Sequence, residues 1–276
     1  MTKSVRILSV CSAIAMWAGS PAAQADDFNL IKQRGQVSLG TFLNSSEMDI
    51  RVDGEAGEGT PIDWNREFGD KDVTRFRLDG LWRINERHHV RVMYTDYSRN
   101  RNETIESEIE WQGDTFPINT LVRAEQSFEI IEGAYEYAFV NSDKWEFAAS
   151  AGLHYTKLEA SLRADVTAPG GGGTVEIGGP AEVNAPLPVI GARGMWRMGG
   201  NFYLDAQAQF FALSFDDFDG SIINYRAAVT WQPKQYLGIG AGYDSFKIDV
   251  DVEKERFTGS MDWTYSGPQV FFNISF

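Results

Sequence analysis

Three features of this 276-residue chain predict an all-β fold, an antiparallel up-and-down transmembrane β-barrel of about ten strands. Apolar and polar residues alternate with a period of two from Val37 onward, and no apolar i, i+3, i+4, i+7 stripe persists along the chain. The segments linking these stretches alternate between short and mostly longer ones. Aromatic side chains stand near strand ends, at Trp82, Tyr94, Trp145, Trp196, Tyr203, Trp231 and Tyr236, where an interfacial girdle would place them.

Composition excludes other classes. Aromatics make up 13% of the chain, which argues against disorder, and one Cys cannot build a disulfide scaffold. A net charge of -14 disfavours nucleic acid, because every phosphate contact would work against it. After the first 25 residues no run of about 20 apolar residues exists, and the mean hydropathy is -0.31. Membrane-spanning helices are thereby excluded from the body of the chain.

Residues 1–25 read as a signal peptide. Lys3 and Arg6 precede an apolar stretch from Ile7 to Ala18, and Ala23-Gln24-Ala25 fits the small-x-small pattern of a cleavage site. Cleavage there would remove Cys11, Lys3 and Arg6, leaving 23 basic and 39 acidic residues and a net charge of -16. Residues 26–35 are expected to form a periplasmic segment able to fold into the barrel mouth, and 36–276 the barrel domain.

The expected strands are 36–52, 72–84, 88–110, 120–140, 145–165, 182–197, 202–215, 221–232, 236–251 and 255–276. In the second, Phe76, Leu78, Gly80 and Trp82 alternate with Arg75, Arg77, Asp79 and Arg83, so the two faces meet different solvents. Ile131, Tyr135, Tyr137 and Phe139 alternate with Glu132 and Glu136; Phe147, Leu153 and Tyr155 oppose Glu146 and His154. Leu204 and Phe210 oppose Asp205 and Gln209, and Ile223, Tyr225 and Trp231 oppose Asn224 and Arg226. A soluble sandwich would show the same alternation. The links favour the barrel: Asn85 to His88, Asn141 to Lys144, Met198 to Asn201 and Gln232 to Gln235 are short, whereas Asp53 to Lys71, Trp111 to Asn119 and Val166 to Ala181 are long. An even strand count brings both termini to the periplasmic side.

In the last strand Val270, Phe272, Ile274 and the final Phe276 share one face, with Phe271 breaking strict polarity. This looks like the signal that bacterial barrel-assembly machinery reads. Together with Gly59-Thr-Pro-Ile-Asp63, Phe76-Arg-Leu-Asp-Gly-Leu-Trp82, the glycines at 170–173 and Ala185-Pro-Leu-Pro-Val-Ile-Gly-Ala-Arg193, the chain resembles the outer-membrane β-barrel domain proteins of Gram-negative bacteria, a porin-like superfamily, across residues 36–276. The resemblance implies the fold and the cell outer membrane. It implies no reaction and no catalytic residue.

Function is therefore sought in the lumen, where Arg75, Arg77, Asp79, Arg91, Glu132, Glu136, His154, Arg193, Asp205 and Arg226 are expected, together with Glu146, Asn224 and Asp244. A barrel of about eight strands is just filled by side chains, and open pores take about sixteen. One reading is an ion-pair network that stabilises the wall; a second is a narrow path for ions or small polar solutes. Surface binding through the long loops is a third. Catalysis is disfavoured, because His88 and His89 fall in a short turn and His154 lacks a following Ser. No cofactor is expected. The partners expected are outer-membrane lipid and lipopolysaccharide, the assembly machinery, and a small polar solute. Acids cluster at Asp216, Asp217 and Asp219 and at Asp249, Asp251, Glu253 and Glu255, a weak candidate divalent-metal site without the spacing of a calcium loop.

Overall fold

The computed structural model describes residues 28–54, 59–69, 72–167, 173–215, 218–254 and 257–276. The signal-peptide residues, Asp26, Asp27, Gly170 to Gly172, Asp216, Asp217 and Glu255 lie outside them. Among the described residues, ten long strands close into one antiparallel barrel: β1 (Gly35–Val52), β3 (Asp72–Arg83), β4 (His88–Thr104), β7 (Leu121–Asn141), β8 (Trp145–Thr167), β9 (Thr174–Gly199), β10 (Phe202–Phe215), β11 (Phe218–Lys234), β12 (Leu237–Lys254) and β13 (Phe257–Ser275). Each pairs with its sequence neighbour, and β13 pairs with β1 from Gln36↔Ser275 to Val52↔Gly259. Three short strands, β2 (Ile62–Asp63), β5 (Ile109–Trp111) and β6 (Asp114–Phe116), and the helix α1 (Trp64–Phe68) lie in the first two long connections.

The period-two pattern sorts side chains as expected. Outward positions form an apolar belt, with Phe272 at 63% exposure, Val270 at 59% and Phe139 at 57%, whereas alternate positions are buried inside. Such a belt on a closed barrel requires lipid around it. At the turn end the girdle is built from ring pairs: Trp145 stacks on Trp196 at 5.0 Å, Trp82 meets Phe276 at 6.0 Å and Phe202 meets Trp231 at 6.4 Å. Tyr203 is a correction. It points inward and is 1% exposed, so it belongs to the interior rather than the girdle.

Phe271, the residue that interrupts the last strand's pattern, also points inward and is buried. Its ring fills the space left by Gly240 on β12, where an added Cβ would overlap it, and its Cβ sits against Gly40 on β1, where an added Cβ would also clash. The apparent break is thus a knob in a hole made by two glycines.

Two boundaries differ most from the expected ones. The strand expected over 88–110 ends at Thr104, and the β5–β6 hairpin stands where a loop is expected between Trp111 and Asn119. The loop expected over Val166 to Ala181 is largely strand, since β9 begins at Thr174 and pairs with β8 through Thr167↔Thr174. Periodicity is weak there because Gly178, Gly179 and Pro180 supply no alternating side chains.

The loop end carries a dome. Trp64 and Phe68 of α1, Trp111 of β5 and Phe116 of β6 are each at most 2% exposed and join Val52, Ile62 and Ile109 in one apolar cluster. Asp63 caps α1 by accepting from Arg66 N–H at 3.0 Å. Asn65 ties α1 to β1, accepting from Met48 N–H at 3.0 Å and donating to Ser46 O at 2.7 Å. Gly178 is where the hairpin seats: its φ of 86° is in the left-handed region, its N–H donates to Asp114 at 2.8 Å, and an added Cβ would stand 2.6 Å from the Phe116 ring. Gly178→Ala is therefore expected to cost about 1–2 kcal/mol and to expose residues 109–116 to limited proteolysis while the barrel stays intact.

Candidate functional site

Inside the belt, strand alternation aims one ring of polar residues at the barrel axis, and register decides which of them meet. The structure brings most of the expected lumen charges together, in two groups. Arg193 of β9 is central to the first: Nε donates to Glu136 at 3.0 Å, Nη1 to Asp205 at 3.1 Å, and Nη2 to Glu146. Arg91 bonds Glu136 at 2.8 Å and Glu132 at 2.7 Å. Arg83 holds Glu146 through two bonds of 3.1 Å. Glu132 also lies 3.1 Å from His154 Nε2 and accepts from Gln209 at 2.7 Å. Arg226 meets Asp205 at 3.3 Å. In the second group Arg77 is shared between Asp79, at 2.8 and 2.9 Å, and Asp244, at 2.9 Å. Glu132 and Arg77, both lumen charges, thus bond to different partners.

Two titratable members lie outside the expected set of lumen charges. Arg83 shares the inward alternation of Arg75, Arg77 and Asp79. His89 is expected in a turn, yet β4 starts at His88 and turns the fully buried His89 ring into the lumen, 4.0 Å from Glu136 and 3.9 Å from Glu146. Continuing the alternation back from Arg91 to His89 would have found it.

Arg75 lies toward the loop end of the lumen, among aromatic rings. Its guanidinium carbon lies 4.5 Å from the Tyr265 ring centre, 4.7 Å from Trp263, 4.8 Å from Tyr97 and 5.6 Å from Phe128. Trp263 is fixed by a 2.8 Å bond from Nε1 to Ser46 and by an edge contact with Phe128 at 4.0 Å. This aromatic cage joins the charge network to the apolar dome. A guanidinium suits such a cage because it is weakly hydrated and stacks on ring faces.

Residues 28–34 close the turn end. Leu30–Lys32 form a 3-10 turn with Leu30 and Ile31 buried against Met195 and Tyr203. Leu30 N–H donates to Tyr203 Oη at 3.2 Å, Gln36 to Leu30 O at 3.0 Å, and Arg83 to Gln33 O at 2.8 Å. Between this plug and the network lies a cavity of about 60 Å³, bordered by Leu30, Arg91, Arg193, Asp205, Arg226 and Asn273. That volume suits a few ordered waters, each occupying about 10–15 Å³ by this measure.

Beyond the belt at the loop end, Asp49, Asp262 and Asp249 stand opposite one another across β1, β13 and β12. Desolvation, then Asp63 and Asp262, raise the Asp49 carboxyl above its ordinary value, and desolvation and Asp262 do the same for Asp249. A raised carboxyl pKa means that the folded chain binds the proton more tightly than the unfolded one. Stability from these groups is therefore greatest at low pH and is lost as pH rises through the raised value. Asp49→Asn is expected to gain a few tenths of a kcal/mol at pH 7 and nothing at pH 3, read from melting curves at both. Of the acids considered for a metal, Asp219 is exposed and opposes Asp251. Among the described residues no group of three His, Cys, Asp or Glu is arranged to hold a metal ion.

Val270, Phe272, Ile274 and Phe276 all face outward into the belt.

No family model matches the chain, and no curated protein matches it in sequence. Solved structures do. The outer membrane protease OmpT from Escherichia coli superposes with a TM-score of 0.58 at 8% identity, covering 90% of this chain and 98% of that one. The Pseudomonas putida toluene transporter TodX gives 0.35 at 9%, covering 88% and 90%, and the Yersinia pestis attachment invasion locus protein Ail gives 0.32 at 10%, covering 86% and 99%. At 8% identity the likeness to OmpT shows the fold alone. That fold is the closed, ten-stranded outer-membrane β-barrel, a class in which short turns face the periplasm and longer loops the cell exterior.

Proposed function

We propose that this protein is an envelope-structural barrel of the outer membrane whose lumen is closed at rest and serves to hold the wall and the extracellular dome in one shape. The observation that carries the reading is a series of blocks along the axis: Leu30 and Ile31 at the periplasmic mouth, the Arg193-centred network, the Arg75 cage, and the dome over Trp64 and Trp111. A narrow passage would need all four to part. Ion pairs bonded through several hydrogen bonds in a buried interior are fixed elements, not the loosely held charges that pass ions along. Catalysis is not part of the reading, because the His–carboxylate contacts among the described residues, His154 with Glu132 and His89 with Glu136 and Glu146, are each at most 1% exposed.

Liposome swelling tests this. Vesicles holding the refolded protein should swell in small sugars no faster than empty vesicles. Arg91→Gln with Glu136→Gln, which removes a bonded pair, should lower the melting temperature and leave swelling at that baseline. Swelling by the wild type that the double variant changes would favour the passage instead.

A further inference from the structure

The outer wall extends far beyond the belt on β7, β8 and β9. There Arg123 and Arg163 stand directly opposite each other across β7 and β8. One outward row farther up, Asp165 and Glu176 stand opposite across β8 and β9. A groove of about 220 Å³ runs between the rows, with Leu121 and Asn102 at its edge. None of the four charged residues makes an ion pair or a side-chain hydrogen bond with another described residue, unlike the pairs Lys157–Glu182 and Lys247–Asp262 on the same outer surface. Like charges directly opposite on a sheet are destabilising. Here two such pairs, of opposite sign, are stacked one row apart.

The rows lie two residues apart, about 6.7 Å along the strand. A phosphoryl group lying across the arginine row would place a primary amine, carried on a two-carbon linker, toward the carboxylate row. Guanidinium forks match phosphate oxygens, and the acids would repel a bare anion but accept an ammonium. Height selects the source. Arg163 lies eight residues beyond Tyr155, the last lipid-facing aromatic of β8, which is about 26 Å along the strand and about 20 Å along the membrane normal at a tilt of about 40°. A phospholipid headgroup stays at the level of Tyr155. The saccharide core of a glycolipid reaches the groove.

We propose that this groove binds a phosphorylethanolamine-type group on the sugar core of an outer-leaflet glycolipid. The proposal rests on the outer-membrane placement and not on the closed lumen, so it stands or falls apart from the swelling result.

The test is binding of the refolded protein to lipopolysaccharide with and without phosphoethanolamine on its core, followed by native mass spectrometry in detergent. The substituted form is expected to bind about tenfold more tightly. Arg123→Gln with Arg163→Gln, and separately Asp165→Asn with Glu176→Gln, should each abolish that preference. These outer-wall positions leave the barrel fold untouched, which heat-shifted gel mobility checks. Equal binding of the two forms by wild type overturns the proposal. So does tighter binding by the acid-neutralised variant, which would mark a simple anion site. Free O-phosphoethanolamine competing at the same concentration as the glycolipid would overturn the lipid-borne source.

Discussion

Arg193→Gln is expected to destabilise the folded barrel by about 3–5 kcal/mol, the cost of breaking a buried ion pair from one side. The guanidinium joins three carboxylates, Glu136, Glu146 and Asp205, from strands β7, β8 and β10. Its removal leaves two fully buried acids with one fewer cation each, Glu136 keeping Arg91 and Glu146 keeping Arg83. Arg193→Lys should recover only part of the loss, since one ammonium cannot meet three carboxylates in the planar fork geometry. Urea unfolding of the refolded protein in lipid bilayers, followed by tryptophan fluorescence, measures both. A loss under about 1 kcal/mol would mean that water replaces the bonds, and that the network does not hold the wall.

Trp263→Ala should cost about 3–5 kcal/mol as a large-to-small change in a packed interior. Trp263 is 1% exposed, bonds Ser46, and packs on Phe128, Phe246 and Tyr265. It is also one of the rings around Arg75. The two effects separate in a double-mutant cycle: Arg75→Met should cost less in the Trp263→Ala background than in wild type, by about 1–2 kcal/mol. Strict additivity would show that the cage is packing without a cation–π contribution.

What the chain reveals before folding follows from how locally each feature is encoded. The barrel and its inward charges are legible because inside and outside alternate residue by residue: knowing that Phe76, Leu78 and Trp82 face lipid assigns Arg75, Arg77 and Asp79 to the lumen. Which charges meet is not legible, because it depends on register between strands distant in sequence. Arg193 finds Glu136 and Glu146 only after β7, β8 and β9 align, and Arg77 finds Asp244 on a strand 167 residues away. Tyr203 looks like a girdle residue because it borders a turn, yet its parity matches inward Asp205, and Leu30 gives it a reason to be inside. The dome looks like loop in the sequence because its order comes from tertiary contacts. α1 spans only Trp64–Phe68, too short to hold its own shape, and it is kept by Trp111, Asn65 and the β1 backbone. The surplus of Trp and Phe at 64, 68, 111 and 116 was the available signal, since solvated loops rarely carry such residues.

The closed lumen is the central claim, and single-channel recording of the refolded protein in a planar bilayer tests it. With insertion verified by protection of the barrel from protease, the account predicts a silent bilayer at neutral pH, for wild type and for Glu132→Gln with Glu136→Gln alike. Discrete conductance steps whose size changes when those two carboxylates are neutralised would contradict it, and would make the network the lining of a channel.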